Sequence, residues 1–213
     1  MRLSELEQTS GVPAATIKYY LREGLLHPGR AVSARLAEYD ESHVRRLRLL
    51  RVLREVGDVP VSRLQLLVRA VEDERPVQAL LGVTADALAP APPPDDGDRG
   101  PSRELAVRVL AGLGWVLRPD TPDLENLAAT LESYERLNGR PLAPEVITEY
   151  GEVADRLARH EIAALDPTAG RAELLTQMVV GQVLFGHLLT VLRRLAEEHH
   201  SGERFGRPEE QTP

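Results

Sequence analysis

Apolar residues recur at intervals of three and four along most of the chain and rarely alternate. That period belongs to helices buried along one side. Leu3 and Leu6 begin it, and Ser4 with Glu7 forms an S-x-x-E pattern that predicts a capping box and a helix start near Ser4. Gly11 supplies a turn, and Pro13 falls in the first turn of a second helix reaching about Glu23, where its missing N–H costs nothing. Ala14, Ile17, Tyr20 and Leu21 share one face of it. Gly24 ends this helix, Leu25 and Leu26 turn back inward, and Pro28-Gly29 opens a loop. Residues 30–39 read as a small hairpin, and Asp40 caps a third helix over about 41–56. Its apolar residues spread over more than one side, so it is expected between the head and the next helix. Gly57 stops it, and a fourth helix over about 61–74 carries Val61, Leu64, Leu67, Val68 and Val71.

The pattern then breaks. Pro76 and Pro90 bracket a short helical stretch, Val77 to Leu88, and residues 89–101, APAPPPDDGDRGP, read as an extended linker. Four helices are expected beyond it: 102–117, with Leu105, Val109, Leu113 and Val116; 122–138, after Thr121; 144–165, from Pro144; and about 167–199. The last has two apolar stripes. One runs through Leu175, Met178, Gln182, Phe185, Leu189, Leu192 and Ala196; the other through Val180, Val183, Leu184, Leu188, Val191 and Leu195. A helix apolar over so much of its circumference is buried over as much. One face suits its own domain and one a second copy, which predicts a homodimer through Leu175, Met178, Phe185, Leu189 and Leu192. The competing reading is a central helix buried wholly within one domain.

Composition narrows the function. The chain has 213 residues and no cysteine, which excludes disulfides and thiolate sensors. Residues 1–70 hold 12 Lys/Arg against 8 Asp/Glu, a net of +4, and the remainder holds 14 against 25, a net of −11. A basic head on an acidic body suits a protein whose head alone meets phosphate. Met1 is followed by a polar segment, not a signal peptide. Leu174–Leu192 is long and apolar, but Gln182 and His187 at mid-span would be costly in lipid. The expected protein is cytoplasmic and not an enzyme: no catalytic constellation, metal motif or cofactor loop is visible. His160-Glu161 and His199-His200 read as exposed helix and tail residues.

The second helix carries the candidate chemistry. Lys18, Tyr19 and Arg22, with Thr16 at the edge, project opposite Ile17 and Tyr20. Small, cationic and phenolic groups on one helix face can enter a major groove and meet phosphate or guanine. A solvated helix face would look the same.

The run LSELEQTSGVPAATIKYYLREGLLHPGR, with EYDESHVRRLRLLRVLREVG after it, resembles the winged-helix head of the MerR family. The resemblance covers about the first 72 residues. It implies a winged helix-turn-helix head; together with the helical stretches of the body, the fold expected is all-α with a small β wing, an N-terminal winged helix-turn-helix plus a C-terminal helical bundle. The units expected are a DNA-binding domain at 1–75, a short helix and linker at 76–101, a dimerisation and effector domain at 102–199, and a disordered tail at 200–213. By position, Thr16, Lys18, Tyr19 and Arg22 would be reading-helix contacts, and Arg30, Arg35 and Tyr39 wing contacts. It further implies a homodimer on double-stranded DNA at a near-palindromic operator, and RNA polymerase as partner of activating members. Lys18 stands where the family usually has arginine, and an ammonium reads guanine less rigidly than a guanidinium fork. The wing's arginine lies farther from its tyrosine than usual. The proline-rich segment also rules out the family's usual long helix directly after the head. A small organic effector would draw on the unusual residues of an aliphatic body: Trp115, Tyr134, Tyr150, Met178, Phe185 and His187. The alternative is an architectural, excisionase-like DNA protein that bends DNA without effector response.

Overall fold

The computed structural model describes residues 1–33, 36–72, 76–91, 93–94, 99–118 and 120–206. Its head comprises α1 (Leu3–Ser10), α2 (Ala14–Arg22), β1 (Arg30–Ser33), β2 (Leu36–Glu38), α3 (Glu41–Glu55) and α4 (Val61–Glu72). The two strands form an antiparallel wing, with Arg30 opposite Glu38 and Ala31 opposite Ala37. The all-α class with a small wing therefore holds.

The caps differ in part from the sequence reading. α1 begins at Leu3, and it is Glu5 Oε2 that accepts from the Arg2 N–H, at 2.6 Å. Ser4 lies inside the helix. Glu7 reaches across the turn instead and accepts from the Ala14 N–H at 2.9 Å, so it fixes the start of α2. Asp40 caps α3 as its position demands, accepting from the Ser42 N–H at 2.9 Å.

Leu6, Ile17, Leu26, Leu47, Leu50 and Leu64 are buried together at the centre of the head. The arginines of α3 mostly brace this core. Arg46 donates to Leu25 O, Arg48 to Thr9 O and Arg54 to Val59 O, at 3.0, 3.1 and 2.8 Å.

Two later elements complete the head. α5 (Val77–Leu88) packs on α4, and α9 (Arg171–Val179) packs on both. Leu175 and Val179 are 1% and 0% exposed, inside the same core as Leu6 and Ile17. Arg171 straps the junction by donating to Val71 O at 3.2 Å and Ala70 O at 3.0 Å. Asp166 caps a separate turn through Thr168, so the last helix starts at Arg171 and not near 167. After a wide π-turn at Val180–Phe185 it continues as α10 (Gly186–Phe205). The whole helix has 35 residues, about 52 Å at about 1.5 Å each. It is long and apolar enough to cross a membrane by length and composition alone. Its first turns, however, are committed to the head. Helix also continues through residues 200–205, where a disordered tail was expected; 207–213 lie outside the described residues.

A second core joins α6 (Gly100–Gly112), α7 (Pro122–Asn138) and α8 (Pro144–Ala163) through Leu105, Val109, Leu124, Leu131 and Ile147. α6 stops five residues before the expected end, because Gly114 turns left-handed at φ +77°. Val116, expected on its inner stripe, is 98% exposed. Buried Arg99 pairs with Glu132 at 3.2 Å and donates to Pro94 O at 2.9 Å, holding the start of α6 against α7.

Candidate nucleic-acid interface

α2 is fixed from both ends. Glu7 holds its first turn, and Gly24, left-handed at φ +69°, closes its last. Leu25 and Leu26 donate their N–H groups to Tyr20 O at 2.9 and 3.2 Å and bury their side chains. With Ile17 and Tyr20 locked inward, Lys18 and Arg22 can only face out, and both are exposed. Burial pushes the Tyr20 hydroxyl above its ordinary pKa, so it stays neutral. Tyr19 and Thr16 are half-buried at the edge of the outward face. The Arg22 guanidinium lies 5.2 Å from the Tyr19 ring centroid, close enough for a cation–π contact that orders both. Among the described residues, Lys18 has no hydrogen-bond or ion-pair partner. The outward face of α2 thus presents two exposed cations and a half-buried phenol.

The wing stands beside it. Arg30 pairs with Glu38 across the two strands, and its side chain is 77% exposed. Tyr39 closes the base: the Met1 ammonium donates to its carbonyl at 2.6 Å, and its N–H donates to Met1 O at 2.8 Å. Gly29 packs so tightly there that an added Cβ would lie 2.7 Å from Glu38 O and 2.9 Å from the Tyr39 ring. Arg35, the remaining wing candidate, lies outside the described residues.

One group of polar residues at the wing base was not foreseen. The His27 and His43 rings stack at 3.8 Å, and Tyr39 meets His43 edge-on at 5.1 Å. His43 Nδ1 lies 2.9 Å from Asp40 Oδ1, while its Nε2 is buried without a partner. Hydrogen bonds from Ser42 and then His43 hold the Asp40 carboxyl far below the usual carboxylate range. Burial first, and then His43, push the His27 imidazole below its ordinary pKa. These three residues, and separately His199, His200 and Glu203, bring metal-type donors within 4.8 Å of one another. The first group is already knit into the cap of α3. Nothing in the spacing of His27 and His43 announces their contact.

The six residues expected around an effector are not brought together. Trp115 packs on the second core and donates to Asp155 at 3.2 Å. Met178 is buried on α9, Tyr134 is half-buried on α7, and Tyr150, Phe185 and His187 are exposed. They are spread over the loop after α6, over α7, α8 and α9, and over the π-turn and start of α10. A cleft of about 1040 Å³ between α3, α4 and α9, and one of about 460 Å³ between α4 and α5, are lined by none of them. Leu175 and Met178 are likewise turned into the protomer's own interior, so the surface left for a second copy begins at Phe185.

A helix-turn-helix whose second helix presents cations, followed by a two-stranded wing, defines a winged DNA-reading head. Residues 1–71 match the model of the MerR HTH family regulatory protein. The chain is 26% identical over 86 residues to the HTH-type transcriptional regulator AdhR of Bacillus subtilis (strain 168). That match covers 40% of this chain and 61% of AdhR, so the chain spans under two thirds of that relative. It is also similar to the crystal structure of SCO5550 from Streptomyces coelicolor A3(2), assigned as a transcriptional regulator. The TM-score is 0.76 and the identity 38%, covering 97% of this chain and 99% of that one. The chain belongs to the MerR family: it is a DNA-binding transcriptional regulator of MerR type.

Proposed function

We propose that the protein works as a homodimer on a near-palindromic operator, with α2 of each copy in a major groove and the wing beside it. The observation that carries this reading is the outward face of α2. Lys18 is free to neutralise a phosphate, Arg22 is steadied by the Tyr19 ring, and the Tyr19 hydroxyl can donate to a phosphate oxygen. Arg30 and Tyr39 are the described wing contacts. Two heads on successive half-sites stand about 34 Å apart. A rigid helix of about 52 Å can bridge that distance if its projecting half meets its mate. Phe185, Leu189 and Leu192, 46%, 44% and 53% exposed, form the apolar stripe for that contact.

Effector input, in this reading, enters at the larger cleft and not at the six aromatic and polar residues of the body. Leu49, Val52 and Val68 give it apolar walls, and exposed Arg45 gives it a cation. That combination suits an amphipathic organic anion.

Mobility-shift titrations on the duplex upstream of the chain's own gene test the proposal. The wild-type protein is expected to bind with twofold symmetry in footprints, and Tyr19→Ala to bind several-fold more weakly. Equal affinity for that duplex and for unrelated DNA would overturn the operator reading.

A further inference from the structure

Two helices of this chain carry apolar stripes that the described residues leave partly exposed. On α8, Val146, Tyr150, Val153 and Leu157 step by four, three and four, and are 37%, 60%, 38% and 38% exposed. This stripe lies roughly 100° around the helix from Ile147, the residue that α8 buries against the second core. Gly151 already holds α8 close to α6, since an added Cβ would lie 2.4 Å from the Leu113 side chain. The stripe therefore cannot turn inward.

On α10 the apolar surface is wider than one partner helix requires. Beside Phe185, Leu189 and Leu192 runs a second row, Leu184, Leu188, Val191 and Leu195, of which Leu188 and Leu195 are 50% and 56% exposed. Pairing the long helix with its own mate through the first row alone would bury three side chains that are each about half exposed. Three such side chains offer far less than the roughly 800 Å² per chain typical of a stable interface.

We propose that the second row of α10 seats on the exposed stripe of α8 in the other copy, so that α8 and α10 of two chains form one four-helix interface. The inference rests on the homodimer reading and deepens it. The lengths agree, at 20 residues each. Both flanks carry charges of both signs that can pair: Glu149, Glu152 and Arg156 border one edge of the α8 stripe, and Arg194 and Glu198 border one edge of the second row of α10. Among the described residues, none of these five has a hydrogen-bond or ion-pair partner within the chain. Each body thereby becomes a clamp on the other copy's long helix.

Sedimentation of the full chain, with circular dichroism as the folding control, gives the first arm of the test. Val153→Glu and Leu157→Glu on α8 are expected to raise the dimer dissociation constant at least about tenfold, as Leu192→Glu does on α10. The second arm uses the absence of native cysteine. A chain with Val153→Cys is mixed with a differently tagged chain carrying Leu188→Cys and treated with a short bismaleimide. A cross-linked heterodimer is expected, and none with Leu137→Cys, a residue 86% exposed on α7, in place of Val153→Cys. A dimer that keeps its affinity in both α8 variants, or that gives no α8–α10 cross-link, overturns this inference while leaving the homodimer intact. A wild-type chain that stays monomeric at micromolar concentration removes both.

Discussion

Lys18→Ala isolates the electrostatic part of DNA recognition. Lys18 is exposed on α2 and has no partner among the described residues, so its removal breaks no protein contact. Alanine is at least as good a helix former as lysine, so the melting temperature should hold or rise slightly. In a dimer the substitution removes two cations at the DNA surface. Each phosphate neutralised contributes about 0.9 to the slope of log affinity against log salt, so the variant's slope should be shallower by about 1.8. The ratio of wild-type to variant affinity should then grow about twelvefold between 200 mM and 50 mM salt. Fluorescence anisotropy on a labelled operator duplex, repeated across that salt range, measures it directly. Parallel salt curves for the two proteins, even with a weaker variant, would show that Lys18 touches no phosphate and that α2 is not seated as described.

Other perturbations probe the scaffold around that face. Leu175→Ala, at a site 1% exposed in the head core, should destabilise the protein by about 2–5 kcal/mol in urea unfolding; a change below about 1 kcal/mol would mean that α9 does not belong to the head. Gly29→Ala should displace the wing, because Glu38 O and the Tyr39 ring already occupy the space, and it should weaken operator binding with a modest loss of melting temperature. The depressed pKa of His27 means that the unfolded chain takes up its proton first as pH falls. Stability should therefore drop below about pH 6.5, and His27→Gln should flatten that part of the curve; an unchanged acid slope would remove His27 from the account.

Local signals carried most of the head. Pro13, Gly24 and Asp40 act on their immediate neighbours, so the ends of α2 and the start of α3 could be read directly. The Ser4–Glu7 pattern misled because Glu7 has a stronger use seven residues on, at the Ala14 N–H. The outward face of α2 followed from helical spacing. The His27–His43 stack did not, because it joins a loop to a helix with no periodic relation between them. The largest departure lies in the final helix. Leu175 and Met178 share one stripe with Phe185 and Leu189, and period alone cannot tell which part meets the chain's own head. The structure divides the stripe: its first part closes on α4 and α5 about a hundred residues earlier in the chain, and the rest stays outside. The six residues singled out for an effector line neither of the described clefts, since rarity in the sequence says nothing about proximity in space.

The π-turn at Val180–Phe185 makes the angular phase of the long helix a property of one short segment. Such a turn takes up about one residue more than an α-helical turn, so its six residues sweep about the angle that five sweep in an α-helix. Deleting Gly181 would therefore remove the turn while leaving the apolar rows of α10 nearly in phase with the strapped end at Arg171. The same deletion inside α10 would instead turn everything beyond it by about 100°.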